Sequence, residues 1–256
     1  MRIPYFYKAT RYLQMFAMLV NPGYLCKLKL YDRNVYFNNI NTFGILDKNL
    51  RELNGIRKGL YLNSDCFIDV GAHIGLKSLI YHSVNKKSLC LAFEPTNDTY
   101  RLLQKNTEGI KNLYIFNFAL GEDECEKKIY FDQKHLDVAS LNSNHFFLLN
   151  KKKNDIKEHT VKIKRLDDFE KYFRDKKKIF LKIDAECYEE KILIGAYKTL
   201  YKVKYLDIEI AQSNSKFLSE TLNKIGTKYN ILDVDFFTSD NSRRPQAINL
   251  LLELNN

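Results

Sequence analysis

The sequence contains no tryptophan, and its 17 phenylalanines and 17 tyrosines supply the aromatic bulk of any core. The cysteines are too few and too scattered for a staple or a zinc site. Cys26, Cys66, Cys90, Cys125 and Cys187 are odd in number, and no two have C-x-x-C spacing. Reduced thiols in a cytosolic protein are the expectation. No apolar run is long enough to span a bilayer. The nearest to one, Tyr12 to Val20, is interrupted by Gln14 and preceded by Lys8 and Arg11. Asn21-Pro22-Gly23 follows it, without the small-residue cleavage site of a signal peptide. A helix packed on the core is expected there, or one lying on a membrane or partner surface. Internal repeats and low-complexity segments are also missing.

The chain of 256 residues is long enough for one large domain with an N-terminal appendage, and 45% hydrophobic residues allow a sizeable core. The net charge is +10, with clusters at Lys151-Lys152-Lys153, Lys162 to Arg165, Lys176-Lys177-Lys178 and Arg243-Arg244. Such a surface attracts polyanions. No run reaches the length of a basic tail, so the clusters read as a solvated lysine-rich surface.

Two regions differ in pattern. A helix is expected over Tyr5 to Val20, broken at Asn21-Pro22-Gly23, with a β signal at Val35-Tyr36-Phe37 and a helix near Ile45 to Leu53. Residues 1–60 therefore read as an N-terminal helical cap, and residues 61–256 as the main domain. There, apolar strands at Cys66 to Val70, Ser88 to Phe93 and Leu113 to Phe118 alternate with helices at Leu76 to Val84 and Thr96 to Lys105. That βαβαβ order predicts a parallel sheet with right-handed crossovers. Residues 122–165 lean towards β structure, at Lys128 to Phe131 and Thr160 to Ile163. The alternation then resumes: helix Leu166 to Tyr172, strand Lys178 to Ile183, helix Glu186 to Leu200, strand Val203 to Ile210 and helix Ser215 to Ile225. Strands Tyr229 to Val234 and Ala247 to Leu254, joined through Asn241 to Pro245, read as an antiparallel pair. The class is α/β, doubly wound.

Three motifs carry chemistry. In Phe67-Ile68-Asp69-Val70-Gly71-Ala72-His73-Ile74-Gly75, a strand delivers Asp69 and Gly71 to its carboxyl end, where open α/β sheets bind ligands. Gly71 allows a sharp turn and close approach, and Gly75 opens the next helix. The G-x-x-x-G spacing is not the G-x-G-x-x-G fingerprint of pyrophosphate binding, which argues against a nicotinamide dehydrogenase. Glu94, in Ala92-Phe93-Glu94-Pro95, lies 23 residues after Gly71 and caps the second strand. An acid there is placed to accept hydrogen bonds from both hydroxyls of a ribose, although helix N-termini also favour acids. In Phe180-Leu181-Lys182-Ile183-Asp184-Ala185-Glu186-Cys187-Tyr188-Glu189, a further strand ends in carboxylates, which should face Gly71 across the crevice.

The ordered set of motifs resembles the FkbM family of methyltransferases. In that family the run is D-V-G-A-N-x-G, F-E-P, A-L-G, S-L, L-D-D-F and K-I-D-V-E-G-x-E. The matching residues are Asp69 to Gly75, Phe93-Glu94-Pro95, Ala119-Leu120-Gly121, Ser140-Leu141, Leu166-Asp167-Asp168-Phe169 and Lys182 to Glu189, so the resemblance covers about residues 60 to 235. It implies a Rossmann-like class I methyltransferase fold, with a mostly parallel seven-stranded sheet and an antiparallel last strand. It also implies S-adenosyl-L-methionine as cofactor and O-methylation, commonly of a sugar hydroxyl. The cofactor site would be Asp69, Gly71, Ala72, His73, Gly75 and Glu94, with Asn117 and Ala119, ending the third strand, near the adenine. Asp69 suits a ligand that carries a sulfonium and an amino acid rather than phosphate. Ser140 would lie on a loop near the substrate. His73 stands where the family has Asn. Cys187 stands where it has Gly, which implies a backbone that needs no positive φ.

Methyl transfer is an in-line displacement that depends on positioning and gains from a base on the acceptor hydroxyl. Asp184 is the expected base, with Glu186 assisting. A divalent metal is not favoured. Were one present, Asp184, Glu186 and Glu209 would form an all-oxygen set suited to Mg²⁺. The expected partner is a glycan or small-molecule acceptor, in a cytoplasmic or membrane-peripheral setting. A nucleic-acid methyltransferase is the nearest rival, but the N/D-P-P-Y/F grip on a flipped base does not follow the fourth strand, which reads Ile183-Asp184-Ala185-Glu186. A non-catalytic cofactor-binding scaffold is a second rival, opposed by the intact carboxylates.

Overall fold

The computed structural model describes residues 25–30, 33–37, 56–132, 139–142, 156–211, 220, 223, 228–238 and 245–255. The helices expected over Tyr5 to Val20 and Ile45 to Leu53, and the break at Asn21 to Gly23, fall outside these residues. So do Lys151 to Lys153, Arg243-Arg244, and all but Glu220 and Asn223 of the helix expected over Ser215 to Ile225.

The elements run β1 (Cys26–Leu30), β2 (Arg33–Phe37), α1 (Ile56–Leu62), β3 (Cys66–Val70), α2 (Leu76–Val84), β4 (Leu89–Phe93), α3 (Asn97–Thr107) and β5 (Leu113–Phe116). Next come β6 (Ala119–Leu120), β7 (Cys125–Asp132), β8 (Ala139–Ser140), β9 (Ile156–Lys164), a 3₁₀ turn (Leu166–Phe169), α4 (Glu170–Phe173) and β10 (Ile179–Ile183). The rest are α5 (Glu189–Gly195), α6 (Tyr197–Leu200), β11 (Val203–Ala211), β12 (Lys228–Thr238) and β13 (Pro245–Asn255).

Seven strands form the main sheet in the order β5-β4-β3-β10-β11-β13-β12. The sheet is mixed. The four pairings from β5 to β11 are parallel, and β13 runs antiparallel to both β11 and β12. Chain order reverses between β3 and β10, so a crevice opens beyond their carboxyl ends, where such sheets hold ligands. A second sheet, β6-β9-β7-β8, is built from the β-leaning middle of the chain, and β1 and β2 form a hairpin.

The central strands are buried on both faces, which explains why β3 and β10 are apolar apart from Asp69 and Lys182. All five residues of β3 and all five of β10 are buried. On one face Phe67 stacks on Tyr81 at 4.8 Å, with Tyr61 and Phe180 edge-on around them. On the other face Phe93, Phe116 and Phe169 meet at 4.9 Å centroid spacings. A buried guanidinium ties α1 to the far side of the sheet: Arg57 donates to both carboxylate oxygens of Asp207 at 2.9 and 3.3 Å, and to Asp233 at 3.0 Å.

Two expectations are corrected. The third strand ends at Phe116, not Phe118, so Ala119 does not end it. Ala119 opens β6 and pairs with Ile163 of the second sheet. The helix expected over Glu186 to Leu200 begins only at Glu189, because Glu186 and Cys187 have positive φ, and it is interrupted at Ala196 (φ −107). All five cysteines are free thiols. Among the described residues, no helix is long and apolar enough to cross a membrane.

Candidate active site

Three neighbouring strands deliver the predicted carboxylates to one edge. Asp69 of β3 is fully buried and accepts a 2.6 Å hydrogen bond from Ser78 of α2. The chain then turns through Gly71 (φ +73), His73 (φ +53) and Gly75 (φ +87) into α2. The left-handed conformation at His73 accounts for the residue types the turn accepts. Asn and His are both enriched in that region, so His fits where Asn is usual. Gly71 has a second, steric constraint: a Cβ there would overlap the backbone carbonyl of Asp184. The turn after β3 and the end of β10 are thus in direct backbone contact, closed by a 3.2 Å bond from the Asp184 N–H to the Val70 carbonyl.

Glu94 ends β4 and is only 6% exposed. Its Oε2 accepts the His73 N–H and its Oε1 the Thr96 N–H, each at 2.9 Å. Each oxygen keeps a lone pair for another donor. Burial pushes the carboxyl up to about 7, against the pull of those two backbone donors. Further hydroxyl donors would stabilise this carboxyl as an anion, which fits a ribose diol. The same carboxylate also braces the entry to α3 through Thr96. The helix-start role leaves room for the expected ligand role in the same residue. Asn117 follows β5 and donates to the carbonyls of Glu94 at 3.0 Å and Pro95 at 3.1 Å, which places it beside the expected cofactor edge. Ala72 is buried within the turn.

Asp184 follows β10, and Glu186 and Glu209 lie close by. One carboxylate oxygen from each of the three is within 4.8 Å of the other two. Burial, and then the charges of Asp184 and Glu186, push Glu209 up to about 9. Three like charges this close cannot all ionise without a counter-charge or a proton.

Part of that counter-charge is Lys182, to which the motif reading assigned no role. It is 7% exposed, and its Nζ lies 3.4 Å from both Asp69 Oδ1 and Asp184 Oδ2 and donates to the Gly71 carbonyl at 3.0 Å. Burial alone would depress this ammonium, but the two carboxylates outweigh it and its proton is held above the usual range. The signal was present in the sequence. A lone lysine in Phe180-Leu181-Lys182-Ile183, a doubly buried strand, needs buried counter-charges. Lys182 is the register partner of Asp69.

Two further residues depart from expectation. Cys187 does have a positive φ, +74, and Glu186 precedes it at +50, so the site keeps the glycine-like backbone without the glycine. Such residues cost about 1–3 kcal/mol each and persist only where their surroundings impose them. Ser140 lies in β8, not on a loop, and is 1% exposed; its hydroxyl bonds the Glu186 carbonyl and accepts the Asn142 N–H. The basic clusters are partly neutralised, with Lys164 paired to Glu124 and Arg165 to Asp168.

The strand order, the crevice and the acids at its edge define a methyltransferase-like α/β fold with a mixed seven-stranded sheet. Residues 69–238 match the model of the methyltransferase FkbM domain, and the chain belongs to that family. A curated relative, Methyltransferase 1 of Beauveria bassiana (strain ARSEF 2860), is 28% identical over 147 residues, which are 51% of this chain and 58% of the relative. The methyltransferase FkbM structure from Methylobacillus flagellatus KT aligns with 18% identity and a TM-score of 0.44, over 73% of this chain and 43% of that one. A Pyrococcus horikoshii protein assigned as a transferase aligns with 11% identity and a TM-score of 0.51, over 90% of this chain and 71% of that one. The chain thus matches only about half the length of the first two relatives.

Proposed function

We propose that the chain is an S-adenosyl-L-methionine-dependent O-methyltransferase acting on a hydroxyl of a sugar or related small molecule. The observation that carries the reading is the line of three adjacent strand ends: the Gly71–Gly75 turn after β3, Glu94 after β4 and Asp184 after β10. When bound, the cofactor supplies an electrophilic methyl group on a sulfonium. Glu94 accepts hydrogen bonds from the ribose hydroxyls. The turn admits the cofactor close to the backbone. Asp184 would take the proton of the acceptor hydroxyl. Lys182 fixes Asp184 against the turn. An acid-lined crevice suits an acceptor rich in hydroxyl donors, and it repels phosphate, which weighs against nucleic acid. Five free thiols support a cytoplasmic setting.

A divalent cation is a second reading, favoured by the 4.8 Å approach of Asp184, Glu186 and Glu209. The donor set is all oxygen and fits Mg²⁺ or Ca²⁺, which would acidify the acceptor hydroxyl. Lys182 already supplies one positive charge to Asp184, so the metal-free reading stands first. Unchanged turnover in EDTA supports it, and loss restored by Mg²⁺ replaces it with the second.

The test is calorimetric titration with S-adenosylmethionine and S-adenosylhomocysteine. Micromolar binding that Glu94→Ala abolishes is expected. A folded wild-type protein that binds neither would remove the basis of the proposal. Asp184→Asn should bind cofactor normally and lose methyl transfer.

A further inference from the structure

We infer that Glu189 and Ser140 are positioning residues that lock the loop Asp184–Cys187 and thereby aim the Glu186 carboxylate at Asp184 and Glu209. The inference rests on the methyltransferase reading for its purpose, but the lock itself is visible in the geometry. Every residue of the loop has a peptide group held from outside it. The Asp184 N–H bonds the Val70 carbonyl at 3.2 Å. The Ala185 and Cys187 N–H groups converge on one oxygen, Oε1 of Glu189, at 3.1 Å each. The Glu186 carbonyl, which lies between those two amides, accepts the Ser140 hydroxyl from the second sheet.

This pattern explains how two consecutive non-glycine residues, Glu186 (φ +50) and Cys187 (φ +74), stay left-handed. One carboxylate oxygen draws two amides inward while the hydroxyl pulls the intervening carbonyl the other way. The reversal returns the Glu186 side chain to the crevice instead of leaving it on the first turn of a helix. There its carboxylate comes within 4.8 Å of those of Asp184 and Glu209. Glu189 is 1% exposed and turns Oε1 to these two amides, so its hydrogen bonds reach the reacting groups through the loop. Ser140 has one hydroxyl proton, which the Glu186 carbonyl takes. That hydrogen bond makes it a positioning residue for the loop.

The lock needs an acceptor oxygen at position 189, not a charge. Glu189→Gln keeps one and Glu189→Ala does not. Hydrogen exchange on the full chain reads it directly, without knowledge of the methyl acceptor. The Ala185 and Cys187 amides should exchange at least tenfold faster in Glu189→Ala and within threefold of wild type in Glu189→Gln. Ser140→Ala should raise exchange at Cys187 and at Asn142. Wild-type protection in Glu189→Ala, or exchange in Glu189→Gln as fast as in Glu189→Ala, would overturn the inference. Failure of the wild type to bind the cofactor would sink the methyltransferase reading, while the exchange data would still decide the lock.

Discussion

Gly71 and Asp184 share one volume: the space that a side chain would need at Gly71 is filled by the backbone carbonyl of Asp184. The contact joins the end of β3 to the end of β10, the two strands between which chain order reverses. It is why the cofactor turn and the candidate base belong to one rigid unit.

Gly71→Ala should therefore fail twice, through its left-handed φ of +73 and through overlap with backbone that cannot rotate away. A loss of at least about 2 kcal/mol in stability is expected. S-adenosylmethionine binding should disappear under conditions where the variant is still folded. Denaturant unfolding and calorimetry check the two effects separately.

Cofactor affinity should depend on pH through Glu94. Its carboxyl is pushed up to about 7 by burial, and ribose hydroxyls donate only to good effect when it is ionised. Binding should strengthen as pH rises through 7, by up to about tenfold between pH 6 and 8, and release protons. Glu94→Gln should bind weakly with a flat profile. Titrations in buffers of different ionisation enthalpy measure the released protons.

Much of this was legible in the sequence, and the misses have physical causes. The strands Cys66 to Val70 and Lys178 to Ile183 were readable because burial on both faces leaves mostly apolar runs between polar turns. Asp69, Glu94 and Asp184 were readable because they end such strands. The switch of Ala119 from the third strand into a second sheet was not, since apolar residues continue on both sides of Asn117 across the bend. Nor was the conformation of Cys187. Residue type predicts backbone only when nothing else acts on it, and here Glu189 and Ser140 impose a shape that Cys does not favour. Lys182 could have been found, because a lysine in a buried strand demands partners.

The positive φ of Cys187 gives a ranked prediction. Cys187→Gly removes the strain but also a buried sulfur, so stability should stay within about 1 kcal/mol of wild type. Cys187→Val places a β-branched side chain in the left-handed region and should lose at least about 2 kcal/mol. Equal midpoints for the two variants would mean that the φ of +74 is not maintained in solution.

Arg57 should be the costliest charge to strand. Its side chain is 6% exposed, and its bidentate partner Asp207 is 9% exposed, whereas Asp233 is 38% exposed. Asp207→Ala removes the buried, bidentate partner of a buried guanidinium and should cost about 3 kcal/mol. Asp233→Ala should cost less than about 1 kcal/mol, because solvent can replace it. Replacing Arg57 and Asp207 together with apolar residues should be milder than Asp207→Ala alone, as unfolding of the three variants will show.

The stability of the cofactor-free protein should fall as pH rises from 5 to 8. Burial raises Glu94 and Glu189 from their ordinary value of 4.5 to about 7 in the fold. Below about 4.5 both carboxyls are protonated in folded and unfolded chains alike, and the packing of the neutral forms contributes in full. Between 4.5 and 7 the unfolded chain gives up protons that the folded chain keeps, so stability drops with pH; above 7 the slope from these groups ends. The two together should remove a few kcal/mol across that window. Glu94→Gln and Glu189→Gln imitate the protonated forms, so each should flatten part of the decline seen in unfolding curves. On the proposed reading S-adenosylmethionine donates to Glu94 and not to Glu189, so it should offset the Glu94 share of the loss at pH 8 and leave the Glu189 share in place. A ligand-bound profile that is flat throughout, or an unbound one that rises from pH 5 to 8, would contradict the placement of both carboxyls in dry surroundings.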